Sequence, residues 1–358
     1  MLSQLPELPL EVLSQHFKQF AFHVSKQASP LYAQLSVAVA DDPELLMLAS
    51  HAGRGQPVPN LFFAAIHFLL LKGVHNFLST FYPSISVVTE RNANPYPAFR
   101  SFCLDHHEEI RQLLATRLVQ TNEIGRCACL LPAFALIASH TQGQPLSLVG
   151  IGASAGLNLF WDRYSYDYGE GRRYGALTST VQISCTLRGN RLPPFPVVLP
   201  EVAWRMGIDL HPLSVSDPEA KLWLRALIWP ENTQRAERLQ QALHLIEQDP
   251  PSIIAGDALA LLPSVLATVP QETTLCIFHS FTVNQFSQEA RERLILLLGE
   301  WAAKRPLFRV SLEGFEGEDP LLELTTWRNE AAAKQTLAMC DSHAQWLQWE
   351  ETHHPPRI

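Results

Sequence analysis

The residues best suited to chemistry lie in one stretch, LSLVGIGASAGLNL, at 146–159. An apolar run (Leu146, Leu148, Val149, Ile151) breaks into Gly152, Ala153, Ser154, Ala155 and Gly156, and Leu157-Asn158-Leu159-Phe160-Trp161 can then start a helix. Strand, tight turn and helix is the layout in which backbone N–H groups at a helix start meet a ligand. Small residues there let the ligand reach the backbone. Gly152-x-Ser154-x-Gly156 also satisfies the pattern that presents a serine nucleophile on a sharp turn. The third reading is a packing turn that holds nothing.

Further candidates follow later predicted strands. The segment 206–212 is a buried strand ending in Asp209, and 252–259 is another, passing through Gly256-Asp257-Ala258. The apolar 274–278 leads into His279-Ser280, and 307–312 leads into Glu313. From about residue 145 onward strands alternate with helices, at 218–229, 233–248, 260–268 and 287–304. That alternation predicts an α/β fold, a mostly parallel sheet with helices on both faces. In such a sheet ligands sit outside the carboxyl ends of the strands. Gly152–Gly156, Asp209, Asp257, His279, Ser280 and Glu313 would then share one edge. Late strands at 321–327, 336–340 and 344–349 can close the sheet in antiparallel fashion. The stretch 165–200, with a strand at 179–187 and a Pro-rich tail, reads as an inserted hairpin and loop.

Ahead of the turn the chain reads as helices. Ser29-Pro30 and Asp42-Pro43 each place a capping side chain before a proline at the first helical position. Helices are predicted at 10–27, 31–40, 61–71, 97–116 and 127–139, with a Pro- and Asn-rich loop at 81–97. This predicts a helical domain or cap over 1–120 and a sheet domain over 121–358. Gln120, Asn122, Glu123 and Arg126 form a polar cluster before the helix at 127–139. They read either as a cap with an i,i+3 Glu–Arg pair or as a ligand-facing corner beside the glycine turn. Asn158, Trp161 and Tyr164, in a run where aromatics alternate with charge, read either as a pocket floor or as a helix end. With Asn122, Glu123 and Arg126 they are the candidates for a substrate pocket.

Hydrophobic residues make up 47% of the 358 and charged residues 17%, a folded globular composition. The net charge of −8 gives no electrostatic reason to expect nucleic acid as a partner. Six scattered cysteines, with Cys127-x-Cys129 too tight for zinc, predict reduced thiols in a cytoplasmic protein and no metal. The N-terminus lacks the basic start and apolar core of a signal peptide. The most apolar run, 61–74, contains His67 and Lys72 and is too short to span a bilayer, so no membrane attachment is expected.

Gly150-x-Gly152-x-Ser154-x-Gly156 resembles the glycine loop of Rossmann-like methyltransferases, which holds S-adenosylmethionine (SAM). LVGIGASAGLNLFWDRYSYDYG, QTNEIGR, GIDLHP, WLRALIWPE, GDALALLP and FHSF together resemble bacterial domain-of-unknown-function family 2332 over most of the chain. That family is similar to class I SAM-dependent methyltransferases in its glycine loop and strand order. The resemblance implies SAM as cofactor and a small molecule as the expected substrate. It also implies contacts from Gly150, Gly152, Ala153, Ser154 and Gly156, from Asp209 to the ribose, from Asp257 and Ala258 to adenine, and from His279 and Ser280 near the methyl donor. His279 is then the first candidate base and Glu313 the second. Two departures stand out: Gly150 occupies the place of an acid, and Ser154 that of the middle glycine. Two other function classes remain in view. One is a methyltransferase-like fold that binds SAM, a nucleotide or a protein without turnover. The other is a serine hydrolase using Ser154, Asp257 and His279 or His343.

Overall fold

The computed structural model describes residues 9–26, 29–74, 76–87, 93–314, 318–328 and 331–350. Residues 1–8, Gln27 and part of the 81–97 loop, all read above, lie outside that set. The chain divides into two compact units, Met1–Thr121 with Ser216–Gln240, and Asn122–Val215 with Gln241–Ile358. Its helices are α1 (Leu10–Lys26), α2 (Pro30–Ala40), α3 (Pro43–Ala49), α4 (Val58–Leu71), α5 (Tyr96–Asp105), α6 (His107–Thr116), α7 (Cys127–His140), α8 (Pro218–Ala226), α9 (Thr233–Glu247), α10 (Ala258–Thr268) and α11 (Gln288–Ala302).

The first unit is helical. Ser29 caps α2 through Tyr32 N–H, and Asp42 caps α3 through Glu44 and Leu45 N–H. Its core is an aromatic cluster in which Phe17 meets Phe62 and Phe63, and Tyr32 stacks on Phe63 at 4.5 Å. The helix predicted at 97–116 is two helices. His106, at φ −116° and ψ 26°, leaves helical geometry, and Glu108 and Glu109 suit the start of a second helix. Ser216–Gln240, which the strand–helix alternation assigned to the sheet, also packs into this unit. Trp223 Nε1 donates to Leu118 O at 2.9 Å. The Glu231 carboxylate accepts from Ser29 Oγ at 2.7 Å and from Leu31 N at 3.0 Å.

The second unit is built on a mixed, largely parallel sheet. Its strands are β1 (Leu146–Ile151), β2 (Ser165–Asp167), β3 (Arg173–Gly175), β4 (Gln182–Ser184), β5 (Thr186–Arg188), β6 (Val202–Asp209), β7 (Ile253–Ala255), β8 (Thr274–Ser280), β9 (Leu307–Glu313), β10 (Leu321–Arg328), β11 (Ala331–Cys340) and β12 (Trp346–Trp349). Nine strands run in the order β5-β12-β11-β10-β9-β8-β1-β6-β7, and β3-β2-β4 form a small separate sheet. β7, β6, β1, β8 and β9 pair in parallel. β9, β10, β11 and β12 continue as an antiparallel meander. The strand predicted at 179–187 is broken. β4 joins the small sheet and β5 pairs with β12, while Cys185 between them is buried.

β1 is buried along its whole length, as a strand covered on both faces must be. Val149 and Ile151 join Leu262 and Leu266 of α10 and Leu294 and Leu298 of α11 in one cluster. On the opposite face Phe134 of α7 meets Phe278 at 5.7 Å and stacks on Trp161 at 4.9 Å. After the turn, Leu157–Arg163 is a 3₁₀ segment in which Phe160 departs from helical geometry. Side chains bond to carbonyls of this segment: Arg205 Nη1 donates to Leu159 O at 2.9 Å, and Tyr164 OH donates to Leu157 O at 2.8 Å.

Candidate functional site

β1 is the strand at which the order reverses. β6 and β7 lie to one side of it, β8 and β9 to the other. The crevice outside the carboxyl end of such a strand is the usual ligand position in an open parallel sheet. Four segments meet there within the second unit. They are the 152–156 turn, the end of β6, the end of β8 with the turn after it, and the 122–126 corner.

The turn is braced from inside the protein. Gly152 N and Ala153 N donate to Ile208 O at 2.8 and 3.2 Å, and Gly156 N donates to Ala153 O at 2.7 Å. Ser154 N donates to Asp209 Oδ2 at 2.8 Å, and His211 N donates to Asp209 Oδ1 at 2.9 Å. Asp209 is 8% exposed. Gly256 N donates to Asp209 O at 2.8 Å, which sets Gly256-Asp257-Ala258 beside it. The small residues are matched to their neighbours. A Cβ at Gly152 would fall on the Thr282 side chain, and one at Gly207 would lie 2.7 Å from Ala153 Cβ. A Cβ at Gly150 would stand 3.2 Å from both Leu159 Cδ2 and Phe278 Cζ. The acid expected at position 150 from methyltransferase loops would therefore face an apolar wall.

One group in the turn has no partner. Ser154 Oγ is buried and meets no hydrogen-bonding atom among the described residues. Ser154 also holds a φ of 53°, in the left-handed region. The Ser154 hydroxyl is thus not hydrogen-bonded to any histidine, as an activated nucleophile would be.

His279 and Glu313 come together, in a way that corrects their expected roles. His279 Nδ1 stands 2.5 Å from Glu313 Oε1, and Arg309 Nε donates to His279 Nε2 at 2.9 Å. Arginine has only donors, so Nε2 is the acceptor and His279 is the neutral tautomer that donates through Nδ1. Burial lowers its pKa, the Glu313 bond raises it, Arg309 lowers it again, and the net direction is down. Both ring nitrogens are occupied and the residue is 1% exposed. In this arrangement His279 is a positioning residue, with no lone pair left for a substrate proton. Glu313 accepts from Thr282 N and Val283 N at 3.2 Å each and from Asn284 N at 3.1 Å. Burial pushes its pKa up, the His279 bond and charge and the backbone donors pull it down, and the net direction is down. Glu313 therefore stays a carboxylate that fixes the turn carrying Thr282 over Gly152. The sequence carries one sign of this network: Arg309 is the one basic residue in the otherwise largely apolar strand LFRVSLE, which ends in Glu313.

The 122–126 corner reaches both sides of the crevice. Asn122 Oδ1 accepts from Leu157 N at 3.0 Å. Glu123 Oε1 accepts from Gly125 N at 2.9 Å, and Glu123 Oε2 lies 3.3 Å from His343 Nδ1 without the alignment of a hydrogen bond. Arg126 Nε donates to Ser342 O at 2.9 Å, Nη1 approaches Ser280 Oγ at 3.4 Å, and the guanidinium lies 4.0 Å over the Phe281 ring. Ser342, His343, Phe281 and Thr282 are site neighbours that sequence reasoning did not single out for a pocket. They sit in turns after strands, where only the fold shows which turn meets which.

The remaining candidates take part in packing and capping. Trp161 and Tyr164 are each 0% exposed and form core, so neither offers a surface to a substrate. Asp257 caps α10 through Ala260 N at 3.0 Å, the ordinary use of an aspartate at a helix start. Asn158 is 9% exposed and faces Cys127 Sγ at 3.5 Å. All six cysteines are free and buried. Among the described residues no group of three His, Cys, Asp or Glu could hold a metal ion, and no helix is long and apolar enough to cross a membrane.

The sequence profile of a bacterial family described as an uncharacterized protein conserved in bacteria (DUF2332) matches residues 14–349. The chain belongs to this family. No curated protein and no solved structure matches it. For this family member the match spans every element of the crevice, from the 122–126 corner to the turn after β11.

Proposed function

We propose that this family member binds an adenosyl ligand, SAM foremost, at the carboxyl edge of β1, β6 and β7, in the manner of a Rossmann-like methyltransferase. The observation that carries this reading is the bond from Ser154 N to Asp209 Oδ2, 2.8 Å long, at the strand where the sheet order reverses. It sets a carboxylate from the end of β6 directly against the glycine turn. A carboxylate accepts two hydrogen bonds at once from a ribose diol. The residues fit the nucleoside half of SAM: Asp209 suits the ribose, and Gly256-Asp257-Ala258 stands next to it. They do not supply the usual acid for the methionine half, since Gly150 is walled by Leu159 and Phe278. Arg126 and Ser280 are polar groups on the β8 side of the crevice, where that end would lie.

Bound SAM supplies a sulfonium methyl open to attack by nitrogen, oxygen or sulfur. The part of the chain is alignment and exclusion of water. His279 and Glu313 serve it by holding the 282–284 backbone in place.

The test is thermal unfolding of the purified protein with SAM, S-adenosylhomocysteine, adenosine, NAD and ATP in turn. SAM, S-adenosylhomocysteine and adenosine raise the midpoint, with about 2.7 kcal/mol of stabilisation at a hundredfold over the dissociation constant. No shift with any adenosyl compound would sink the reading. A fluorophosphonate probe is expected to leave Ser154 unlabelled, because no histidine is hydrogen-bonded to its hydroxyl to activate it; labelling at Ser154, read by mass spectrometry, would restore the hydrolase reading.

A further inference from the structure

Ser154 carries two costs at once. Its φ of 53° is one that side chains other than glycine adopt only under strain. Its hydroxyl is buried without a hydrogen bond, in a residue 6% exposed, and such a group loses its water without compensation. Glycine at this position would remove both costs. The neighbouring turns are strained too. Among the described residues five non-glycine residues have positive φ, and three of them, Ser154, Phe281 and Ala344, lie in turns at this crevice. Arg126 touches two of those turns, through the Phe281 ring and Ser342 O. The third faces Thr282 across Gly152. Strain collected in the turns of one crevice marks a surface shaped for a ligand rather than for the stability of the free protein.

We infer that the Ser154 hydroxyl is a ligand-recognition group held in readiness, and that with Asp209 it reads a vicinal diol. This rests on the adenosyl reading of the site for its ligand class. Asp209 only accepts hydrogen bonds, whereas the Ser154 hydroxyl both donates and accepts. A ribose diol suits that pair: one hydroxyl donates to the carboxylate and the other exchanges a hydrogen bond with Ser154. The glycine loop of the resembling enzymes works through its backbone, so a side-chain contact from its middle position is particular to this chain.

The experiment compares the native chain with Ser154→Gly and Ser154→Ala, first without ligand and then with adenosine, 2′-deoxyadenosine and S-adenosylhomocysteine. Without ligand, Ser154→Gly unfolds at a higher temperature than the native chain, and Ser154→Ala falls between them because it keeps the strained φ. With ligand, both variants bind adenosine and S-adenosylhomocysteine about tenfold more weakly, the loss of one hydrogen bond at about 1.4 kcal/mol. They also lose the native preference for adenosine over 2′-deoxyadenosine. A lower ligand-free midpoint for Ser154→Gly overturns the inference, since the hydroxyl would then support the fold. Unchanged adenosine affinity in both variants overturns it as well. If the native chain binds no adenosyl compound, the proposed function fails by itself. A raised Ser154→Gly midpoint still supports a hydroxyl kept for another ligand.

Discussion

Replacing Glu313 by alanine is expected to lower the stability of the second unit by about 3–5 kcal/mol, the usual cost of removing one partner from a buried charged network. The reason lies in what the carboxylate holds. Thr282 N, Val283 N, Asn284 N and His279 Nδ1 all bond to it, and alanine would leave these buried and half-buried donors without that acceptor. Glu313→Gln keeps the shape but loses the charge, and falls between. The effect depends on pH with a definite sign. Glu313 has its pKa lowered in the fold, so its contribution is fully present above the ordinary glutamate value, about 4.3, and is lost as pH falls through the lowered value. His279 is also lowered and neutral in the fold. Its contribution is present above about 6.5 and declines as pH falls below that. The measurement is the unfolding midpoint of native and Glu313→Ala proteins from pH 8 down to pH 3. The native curve should fall in acid and the variant curve should approach it at the low end. Parallel curves would mean that Glu313 is not the charged anchor described above.

The second large effect is expected at Gly156. Its φ is 79°, and a Cβ there would stand 2.6 Å from Pro251 Cγ and 2.7 Å from Pro251 Cβ. A proline ring cannot swing aside as a long side chain can. Gly156→Ala should therefore cost about 2–5 kcal/mol, from left-handed strain together with overpacking. Adding Pro251→Gly to Gly156→Ala should recover the packing part and leave the strain, so the pair should be non-additive in a double-mutant cycle. Additive values would place the cost in the backbone conformation alone.

Much of this chain was legible from local rules. Ser29-Pro30 and Asp42-Pro43 start helices because a side-chain acceptor and a fixed φ act within three residues. The apolar runs became β1, β8 and β9, since a strand covered on both faces has no polar position to alternate. The edge shared by the glycine turn, Asp209 and Ser280 followed from the order of those strands. The structure departs from these expectations in three places. The helix expected after the turn is a 3₁₀ segment kinked at Phe160, and Arg205, 46 residues away, donates to Leu159 O within it. The 97–116 helix broke at His106, and the strand at 179–187 was shared between two sheets.

The same division holds at the crevice. By itself the sequence determined that a small-residue turn follows a buried strand, and that acids and a histidine follow the later strands. Residue type and spacing suffice for that, because the forces involved act over a few residues. Only the tertiary structure decided what those groups do. Asp209 reaches Ser154 across 55 residues, His279 reaches Glu313 across 34, and Arg126 reaches Ser342 across 216. A hydrogen bond spends the lone pair or the proton it uses. Whether His279 is a base or a brace, and whether Ser154 is satisfied or waiting, therefore depends on which distant group the fold brings to it.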